Sequence, residues 1–359
     1  MKLGIIGLPG AGKTTIFNAL TKGTAPVGQS MGGRLEVLSA VVDVPDPRVD
    51  VLTAMFVPKK TTFAKVTYVD VAGIQKGASE KGGISGALLN HLAGLDGFLH
   101  VVRAFPSDLV PHPDGSVNPA RDLAALDTEL LFSDLVTVEG KLTRLREGLG
   151  KGAFKAGKAD AQAELALFER LHETLSAERP LREMALTAEE EKSLRGYGLL
   201  TLKPVLIVVN IGDDQPEIPF AYDAPHTRVT HLRGKLEMEL SQLTGDDLEM
   251  FMAEYGVTEL SLGRVIALSY DLMGLLSFFT VGEDEVRAWT LERGATAVEA
   301  AAAIHTDLAK GFIRAEVVAY ADLIEQGGMA GARHAGKLRQ EGKTYVVQDG
   351  DIVHIKFNI

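Results

Sequence analysis

The chain has 359 residues, of which 46% are hydrophobic and 24% are charged, and its formal net charge is -11 at pH 7. This composition is typical of a globular protein with two or three domains, each long enough to bury a core. Without cysteine, disulfides and thiol chemistry are excluded, and no apolar run is long enough for a membrane helix. The acidic balance argues against nucleic-acid binding over the whole surface, but not at a local basic patch. The N-terminus is too short and glycine-rich for a signal peptide, which predicts a cytoplasmic protein.

Four short apolar runs predict the strands of a buried parallel sheet. They are residues 2–6, 64–69, 98–102 and 204–209. Helical spans separate these runs, as in a doubly wound α/β sheet that is covered on both faces. Asp70 and Asn210 directly follow two of the runs, and such sheets bind ligands at the carboxyl ends of their strands. The sequence therefore predicts an α/β domain with its ligand site at that edge.

A helical insertion is predicted between the third and fourth strands. Apolar residues spaced 4-3-4-3-4 form a coiled-coil seam at Leu131, Leu135, Val138, Leu142, Leu145 and Leu149. A matching face follows at Leu165, Phe168, Leu171 and Leu175. The segment between them is rich in glycine and lysine, including Lys151, Lys155 and Lys158. We expect an antiparallel arm whose basic tip either contacts RNA phosphates or only aids solubility.

The last 80 or so residues predict a small α+β domain of β-grasp type. Its elements are a strand at 285–291, an alanine-rich helix at 296–310 and a hairpin at 343–357 around Asp349-Gly350-Asp351. The predicted domains are therefore 1–121 with 203–277 for the P-loop GTPase-like part, 122–202 for the helical coiled-coil insertion, and 278–359 for the β-grasp part.

A phosphate-binding loop is predicted directly after the first strand. The run Gly7-Leu8-Pro9-Gly10-Ala11-Gly12-Lys13-Thr14 fits G-x-x-x-x-G-K-[ST] in full. Such glycines turn backbone N–H groups towards phosphate oxygens, the lysine reaches the β and γ oxygens, and the threonine hydroxyl ligates Mg²⁺. The predicted purine-nucleotide ligands are Gly7, Leu8, Pro9, Gly10, Ala11, Gly12, Lys13, Thr14 and Thr15.

Two further motifs follow predicted strands. In Asp70-Val71-Ala72-Gly73, the carboxylate is predicted to hold Mg²⁺ through water and the Gly73 N–H to sense a γ-phosphate, although an ordinary strand-end turn also fits. Asn210-Ile211-Gly212-Asp213 lies where a GTPase carries N-K-x-D, with Ile211 in place of the lysine. It predicts base binding at Asn210, Ile211 and Asp213, or else a turn without a ligand, and does not decide between ATP and GTP.

The chain resembles the YchF subfamily of Obg-like P-loop NTPases over essentially its whole length. The matching segments are Gly7-Leu8-Pro9, Val44-Pro45-Asp46-Pro47-Arg48, Val69 to Gly73 with Gly77-Ala78-Ser79, His100-Val101-Val102-Arg103, Phe278-Phe279-Thr280, Glu285 to Thr290, and Ile304 to Ala315. The resemblance implies a GTPase-like domain, a coiled-coil insertion, a C-terminal TGS domain, a frequent preference for ATP, and association with ribosomes.

The resemblance also implies a catalytic residue, and this sequence differs from the family's pattern at three places. Ile74 stands where many GTPases place a water-orienting glutamine. The resemblance places the family's catalytic histidine, which follows the third strand, at His112. Without the resemblance, His112 would be interpreted as a solvated loop histidine. The departures are Arg34 in place of the first-switch threonine, Asp213 in place of the family's glutamate, and Arg233-Gly234 in the last base-binding loop. Together they suggest a divergent member with slow hydrolysis.

The leading functional hypothesis is a slow, Mg²⁺-dependent ATPase or GTPase that acts as a nucleotide-controlled switch. Its predicted catalytic residues are His112, Lys13 and Gly73, and its predicted metal ligands are Thr14 and Asp70. The expected partner is the large ribosomal subunit or another RNA–protein particle, bound by a monomer through the arm tip and the TGS-like domain. The alternatives are a nucleotide-binding module without significant hydrolysis and a small-molecule kinase.

Overall fold

The computed structural model describes residues 1–25, 37–71, 74, 77, 84–151 and 157–358. The chain divides into a first unit, Met1–Ala40 with Thr67–Leu262, and a second unit, Val41–Val66 with Gly263–Ile359. The segment 41–66, which the sequence analysis assigned to the GTPase-like domain, thus belongs to the second unit. The division into three domains with the boundaries given above stays a prediction.

The described part of the chain contains both strands and helices. The strands are β1 (Lys2–Ile6), β2 (Leu38–Asp43), β3 (Lys60–Thr62), β4 (Lys65–Asp70), β5 (Gly97–Arg103), β6 (Val205–Asn210), β7 (Thr227–Leu232), β8 (Leu275–Thr280), β9 (Glu285–Glu292), β10 (Phe312–Ala319), β11 (Arg339–Glu341) and β12 (Asp351–Phe357). The helices are α1 (Lys13–Thr21), α2 (Pro47–Phe56), α3 (Gly86–Ala93), α4 (Pro119–Gly150), α5 (Lys158–Ser176), α6 (Ala188–Leu194), α7 (Gly234–Ser241), α8 (Asp246–Glu254), α9 (Ser261–Leu272), α10 (Ala297–Ile304), α11 (Thr306–Lys310), α12 (Tyr320–Glu325) and α13 (Met329–His334).

The first sheet has the strand order β2-β4-β1-β5-β6-β7. Its β1 pairs in parallel with β4 and β5, β5 pairs in parallel with β6, and β6 with β7. Every residue of β5 and β6 is buried, as their continuous apolar runs predict. The predicted doubly wound α/β fold is confirmed, with the expected four strands displaced by about one residue at most ends. Strand β7 was not predicted because it mixes polar and apolar residues at the edge of the sheet.

The helices α4 and α5 form an antiparallel pair, called the helical arm below. Asn118 caps α4 through a hydrogen bond from the Arg121 N–H, and Pro119 occupies its first turn. Of the predicted seam and its matching face, Val138, Leu142, Leu145, Phe168, Leu171 and Leu175 are buried between the helices. Leu131, Leu135 and Leu165 are partly buried, and Leu167, which was not predicted, joins the core. A capping box at Thr187 and Glu190 begins α6. Of the predicted tip, Lys155 lies outside the described residues.

Asp134 fixes the arm to the segment that leads back into the sheet. Its buried carboxylate accepts hydrogen bonds from the N–H groups of Leu200 (2.8 Å) and Thr201 (2.7 Å) and from the Thr201 hydroxyl (2.6 Å). Burial raises the pKa of Asp134 to about 6, although these hydrogen bonds oppose the rise. The position of α4 is thus set by a charged group that water does not reach.

The second unit contains a sheet of order β11-β10-β12-β8-β9-β3. Strands β8 and β9 are antiparallel, as are β10 and β12, whereas β12 pairs in parallel with β8. Its core contains Phe278, Leu291 and Val353, together with the alanine face of α10. The predicted alanine-rich helix is present as two helices, because the backbone at His305 is extended.

The predicted hairpin at 343–357 is wrong in its first strand. Only β12 is a strand, and the preceding residues bond elsewhere: the Tyr345 carbonyl accepts the Ala297 N–H at 2.8 Å, and the Val347 N–H donates to the Ala295 carbonyl at 3.0 Å. Asp349 instead accepts the Ser277 N–H at 3.0 Å. These long-range hydrogen bonds therefore determine the backbone here, rather than the local turn sequence that predicted a hairpin. Among the described residues, no helix is both long and apolar enough to cross a membrane.

Replacing Asp134 with alanine removes its three hydrogen bonds and leaves two backbone N–H groups buried without partners. We expect the free energy of unfolding to fall by about 3 kcal/mol in urea denaturation at pH 7. Because the folded-state pKa of about 6 lies above the ordinary value of 3.8 for an aspartate, the wild-type contribution is largest at low pH and declines as pH rises through 6. The variant should lose that decline.

The matched control is the alanine variant of Asp223, an exposed carboxylate in the same unit. It should change stability by less than about 0.5 kcal/mol. Equal losses in the two variants would show that the Asp134 contacts contribute nothing specific.

Candidate nucleotide site

Residues 7–14, called the glycine loop below, connect β1 to α1 and require glycine at three positions. The φ angles of Gly7, Gly10 and Gly12 are 154°, 79° and 93°. A side chain on Gly7 would bring its Cβ within 2.5 Å of the Val101 carbonyl oxygen, and one on Gly12 would collide with the Asn210 carboxamide. The loop therefore follows a path that only glycine adopts without strain.

The loop ends at a helix N-terminus that has no side-chain cap. Gly12 is the N-cap of α1, and the Ile16 N–H donates to its carbonyl at 3.0 Å. The N–H groups of Lys13, Thr14 and Thr15 precede this hydrogen bond, so they have no acceptor within the helix. Together with the positive end of the helix dipole, they form a site that favours an anion such as phosphate.

The Lys13 side chain is folded against the glycine loop. Its Nζ donates to the carbonyl oxygens of Gly7 and Leu8, each at 3.1 Å. An ammonium group has three N–H bonds, so one remains for a ligand. Burial lowers the pKa of Lys13 to about 8, and the Asp70 carboxylate opposes this effect. A buried cation with a remaining donor is suited to bind an oxyanion.

Thr14 and Asp70 bring two oxygen ligands together at the carboxyl edge of the first sheet. The Thr14 hydroxyl donates to Asp70 Oδ2 at 2.8 Å. Burial raises the pKa of Asp70, whereas the Thr14 hydrogen bond and the Lys13 charge lower it. Hydroxyl and carboxylate oxygens are the ligands that Mg²⁺ prefers, so this pair fits a magnesium ion beside a phosphate.

The residues predicted to bind the base lie at the end of β6. Asn210 is buried, and its carboxamide donates to the Ala11 carbonyl at 3.0 Å and accepts the Gly234 N–H at 3.1 Å. Asp213 accepts the Leu236 N–H at 3.2 Å through its carboxylate. Ile211 is buried in the core of the first unit. The side chains of Asn210 and Ile211 are therefore buried beneath the predicted base site. The side chain of Asp213 is partly exposed, so it is the one of the three that a ligand can reach.

His112 is held in a polar cluster at the start of α4. Its Nε2 lies 2.7 Å from Asp122 Oδ2, and its Nδ1 accepts the Asp114 N–H at 3.1 Å. Arg121 donates to the other Asp122 oxygen from Nε at 3.0 Å and from a terminal nitrogen at 2.8 Å. The ligand atoms of His112, Asp114 and Asp122 lie within 4.8 Å of one another, but the guanidinium already supplies the positive charge there.

Two residues of the site were not predicted as functional. Arg103 lies beside Asn210 in the register of β5 and β6, and it donates to the carbonyls of Phe105 (3.0 Å) and Val110 (2.8 Å). The other is Asp122, whose pairing with His112 has no signal in the spacing of the chain. The sequence did contain a signal for Arg103, because it is a charged residue at the end of an otherwise apolar strand.

The remaining predicted positions differ in where they fall. Gly73, predicted to sense the γ-phosphate, and Arg34 of the first-switch segment lie outside the described residues. Ile74 is described, and its side chain is buried in the core of the first unit. The described part of the chain thus brings together the glycine loop, Asp70 and Asn210, with His112 lining a pocket that also includes Leu8, Pro9 and Ala11.

A parallel sheet with a glycine loop of this motif between its first strand and helix defines a P-loop protein of the GTPase type. Residues 2–135 match a family model described as 50S ribosome-binding GTPase. Residues 275–358 match the YchF GTPase C-terminal model, described as a protein of unknown function (DUF933).

Relatives match over the full length of the chain. The ribosome-binding ATPase YchF of Bacillus subtilis is 41% identical, covering 99% of each chain. Obg-like ATPase 1 of Caenorhabditis elegans is 36% identical over 100% of this chain and 92% of its own. The solved structure of the Schizosaccharomyces pombe YchF GTPase superposes with a TM-score of 0.83 at 31% identity, covering 99% and 97% of the two chains. This chain belongs to the YchF family, as its motifs predicted.

The affinity of the site for a nucleoside triphosphate should fall above pH 8. Lys13 is charged below its pKa of about 8 in the free protein, and a bound phosphate raises that pKa. Above pH 8 binding must take up a proton, approaching about one per nucleotide, and the dissociation constant rises. Titration calorimetry at pH 7, 8 and 9, in two buffers of different ionisation enthalpy, measures both quantities.

As a control, alanine at the exposed Lys192 should leave this pH dependence unchanged. An affinity that stays constant up to pH 9 would contradict the assignment of the buried ammonium group to the phosphate.

Proposed function

We propose that this protein is a Mg²⁺-dependent nucleoside triphosphatase that acts as a nucleotide-controlled switch on the ribosome. The observation that carries the proposal is the meeting of three groups in one place: the uncapped N-terminus of α1, the Lys13 ammonium and the Thr14–Asp70 oxygen pair. The helix N-terminus and the ammonium group bind phosphate, and the oxygen pair binds the magnesium ion that accompanies it. Full-length relatives are named ribosome-binding ATPases, which supports both halves of the proposal.

In this proposal each residue at the phosphate end has a separate task. The N–H groups that begin α1 and the remaining N–H bond of Lys13 bind phosphate oxygens. Thr14 and Asp70 hold Mg²⁺, which neutralises charge on the triphosphate. Gly73 senses the γ-phosphate, a role that rests on its place in the motif Asp70-Val71-Ala72-Gly73 directly after β4.

The base end is proposed to be built around Asn210. Its two hydrogen bonds join the Ala11 carbonyl to the Gly234 N–H, so its task is to fix the corner in which the base lies. Asp213 is the group that contacts the base, and Ile211 supports it from the core. Relatives carry both ATPase and GTPase in their names, so direct binding measurements have to decide the base.

His112 is proposed to assist the attack of water on the γ-phosphate. Imidazole is suited to this role because it exchanges protons near neutral pH. In the structure both of its nitrogens are engaged, at Asp122 and at the Asp114 N–H. The ring therefore has to leave this arrangement before it acts.

The proposed partner surface is the helical arm together with the C-terminal part of the chain. Lys151 and Lys158 flank the arm tip, where positive charge would meet RNA phosphates of the large ribosomal subunit. A cytoplasmic monomer with a GTPase-like domain, a coiled-coil insertion and a TGS-like domain is the form in which we propose that it acts.

A nucleotide-binding module without hydrolysis is the second candidate. It is favoured by the burial of Ile74, which cannot orient water, and by the engaged ring of His112. A product assay separates the two candidates, with the Lys13→Ala variant as the blank. The small-molecule kinase is set aside because the full-length relatives are named as ATPases and GTPases.

The Lys13→Ala variant should lose nucleotide binding. Removing a buried ammonium that faces phosphate should weaken the affinity at least about 100-fold, while the Lys192→Ala control keeps it. Equilibrium titrations with ATP, GTP, ADP and GDP, each with and without Mg²⁺, provide the measurement and also identify the preferred base. Unchanged affinity in the Lys13 variant would refute the proposed site.

The His112→Ala variant should bind nucleotide with wild-type affinity but hydrolyse it about 100-fold more slowly, because it lacks the proton-accepting ring. Steady-state phosphate release at saturating nucleotide measures the effect. The matched control is alanine at the exposed His334 of the second unit, which should hydrolyse at the wild-type rate. Wild-type turnover in the His112 variant would remove this residue from the mechanism.

A further inference from the structure

The His112 ring has no free position for a water molecule. Since the Asp114 N–H donates to Nδ1 at 3.1 Å, that nitrogen carries no proton. The ring proton is therefore on Nε2, where it is donated to Asp122 Oδ2 at 2.7 Å. The lone pair and the N–H bond of a neutral imidazole are thus both used within the protein. In this arrangement the ring can neither accept a proton from water nor donate one.

The acceptor of the ring proton is itself firmly held. The side chains of His112 and Asp122 are only 7% and 5% exposed. The second oxygen of Asp122 accepts two hydrogen bonds from Arg121, whose guanidinium also donates to the Ser116 carbonyl at 2.7 Å. A buried carboxylate with both oxygens satisfied, one by a charged donor, is a strong anchor for the ring.

Asp122 belongs to the first turn of α4, the helix that begins the arm. This helix continues without a break through 32 residues, which corresponds to about 48 Å. A hydrogen bond of 2.7 Å is lost when it lengthens by about 1 Å, so a small shift of the helix start is sufficient to break it. The hydrogen bond of the ring therefore depends on the position of the first turn of α4.

The other end of the histidine segment lies beside the glycine loop. Arg103 holds the carbonyls of Phe105 and Val110, and one of its terminal nitrogens lies 3.5 Å from the Cβ that a side chain on Gly10 would have. Residues 105–112 are thus fixed beside the loop at one end and to α4 at the other. If the α4 anchor is lost, the ring remains next to the nucleotide site.

We propose that Asp122 is a positioning residue that stores His112 in an inactive orientation, and that displacement of α4 releases the ring for hydrolysis. The inference rests on the proposed catalytic role of His112. It assigns to the helical arm a direct route to the reacting centre, so that a partner which moves the arm would accelerate turnover.

The opposite arrangement would be an Asp122 that orients an already active ring, as the carboxylate does in a Ser-His-Asp triad. The two arrangements predict opposite effects of removing Asp122 on the rate of hydrolysis. Loss of an orienting carboxylate slows catalysis, whereas loss of a storing carboxylate accelerates it. The occupied Nδ1 favours storage, because an oriented base needs that nitrogen for water.

The test compares Asp122→Ala with the control Asp108→Ala, which replaces an exposed carboxylate nearby. We expect Asp122→Ala to raise basal turnover about tenfold, because losing a charged hydrogen bond frees the ring, with unchanged nucleotide affinity. The double variant with His112→Ala should fall to the rate of His112→Ala alone. Turnover that is unchanged or lower in Asp122→Ala would overturn storage.

A second measurement does not depend on hydrolysis. In ¹⁵N-histidine NMR spectra of the full chain, wild-type His112 should show a single tautomer with the proton on Nε2, and Asp122→Ala, which has no acceptor for that proton, should show mixed tautomers. Mixed tautomers in the wild type would overturn the inference even if Asp122→Ala does not fold. If His112→Ala keeps wild-type turnover, the proposed catalytic role of His112 is refuted, and the storage role of Asp122 with it. If only the Asp122 variants give the contrary result, storage is refuted and the catalytic role of His112 stands.

Discussion

The nucleotide site depends on a backbone turn that places several N–H groups around one small volume. The turn exists because Gly7, Gly10 and Gly12 adopt positive φ angles while β1 is held between β4 and β5. Without that pairing, the loop would have no fixed entry, and without the glycines it would collide with β5 and with Asn210. Both the sheet and the loop are therefore needed before the chemistry of Lys13 has any consequence.

The sequence was a good guide wherever a local pattern determined the outcome. The buried strands, the arm seam and the glycine loop all follow from spacing and residue type, and the family resemblance is confirmed over the full length. The prediction of the first strand of the late hairpin was wrong, because Tyr345 bonds to Ala297 at the start of α10 and Val347 to Ala295 just before it. The pairing of His112 with Asp122 also escaped prediction, because it results from a loop folding back on a helix start.

Asn210 shows why the role of a motif residue is hard to predict from its position alone. It lies at the expected strand end, yet its carboxamide joins Ala11 of the glycine loop to Gly234 at the start of α7. The two halves of the site, for the phosphates and for the base, are thereby connected through one buried amide. The position of Asn210 in its motif predicts a place in the site but does not reveal this connection.

The contacts of Lys13 have a consequence for the thermodynamics of ligand capture. A long, flexible side chain usually loses rotamer freedom when its ligand arrives, which weakens association. Here two of its three N–H bonds are already committed to the carbonyls of Gly7 and Leu8. That entropy is lost during folding, so the pocket is preorganised, and a polyphosphate meets a cation that is already immobile.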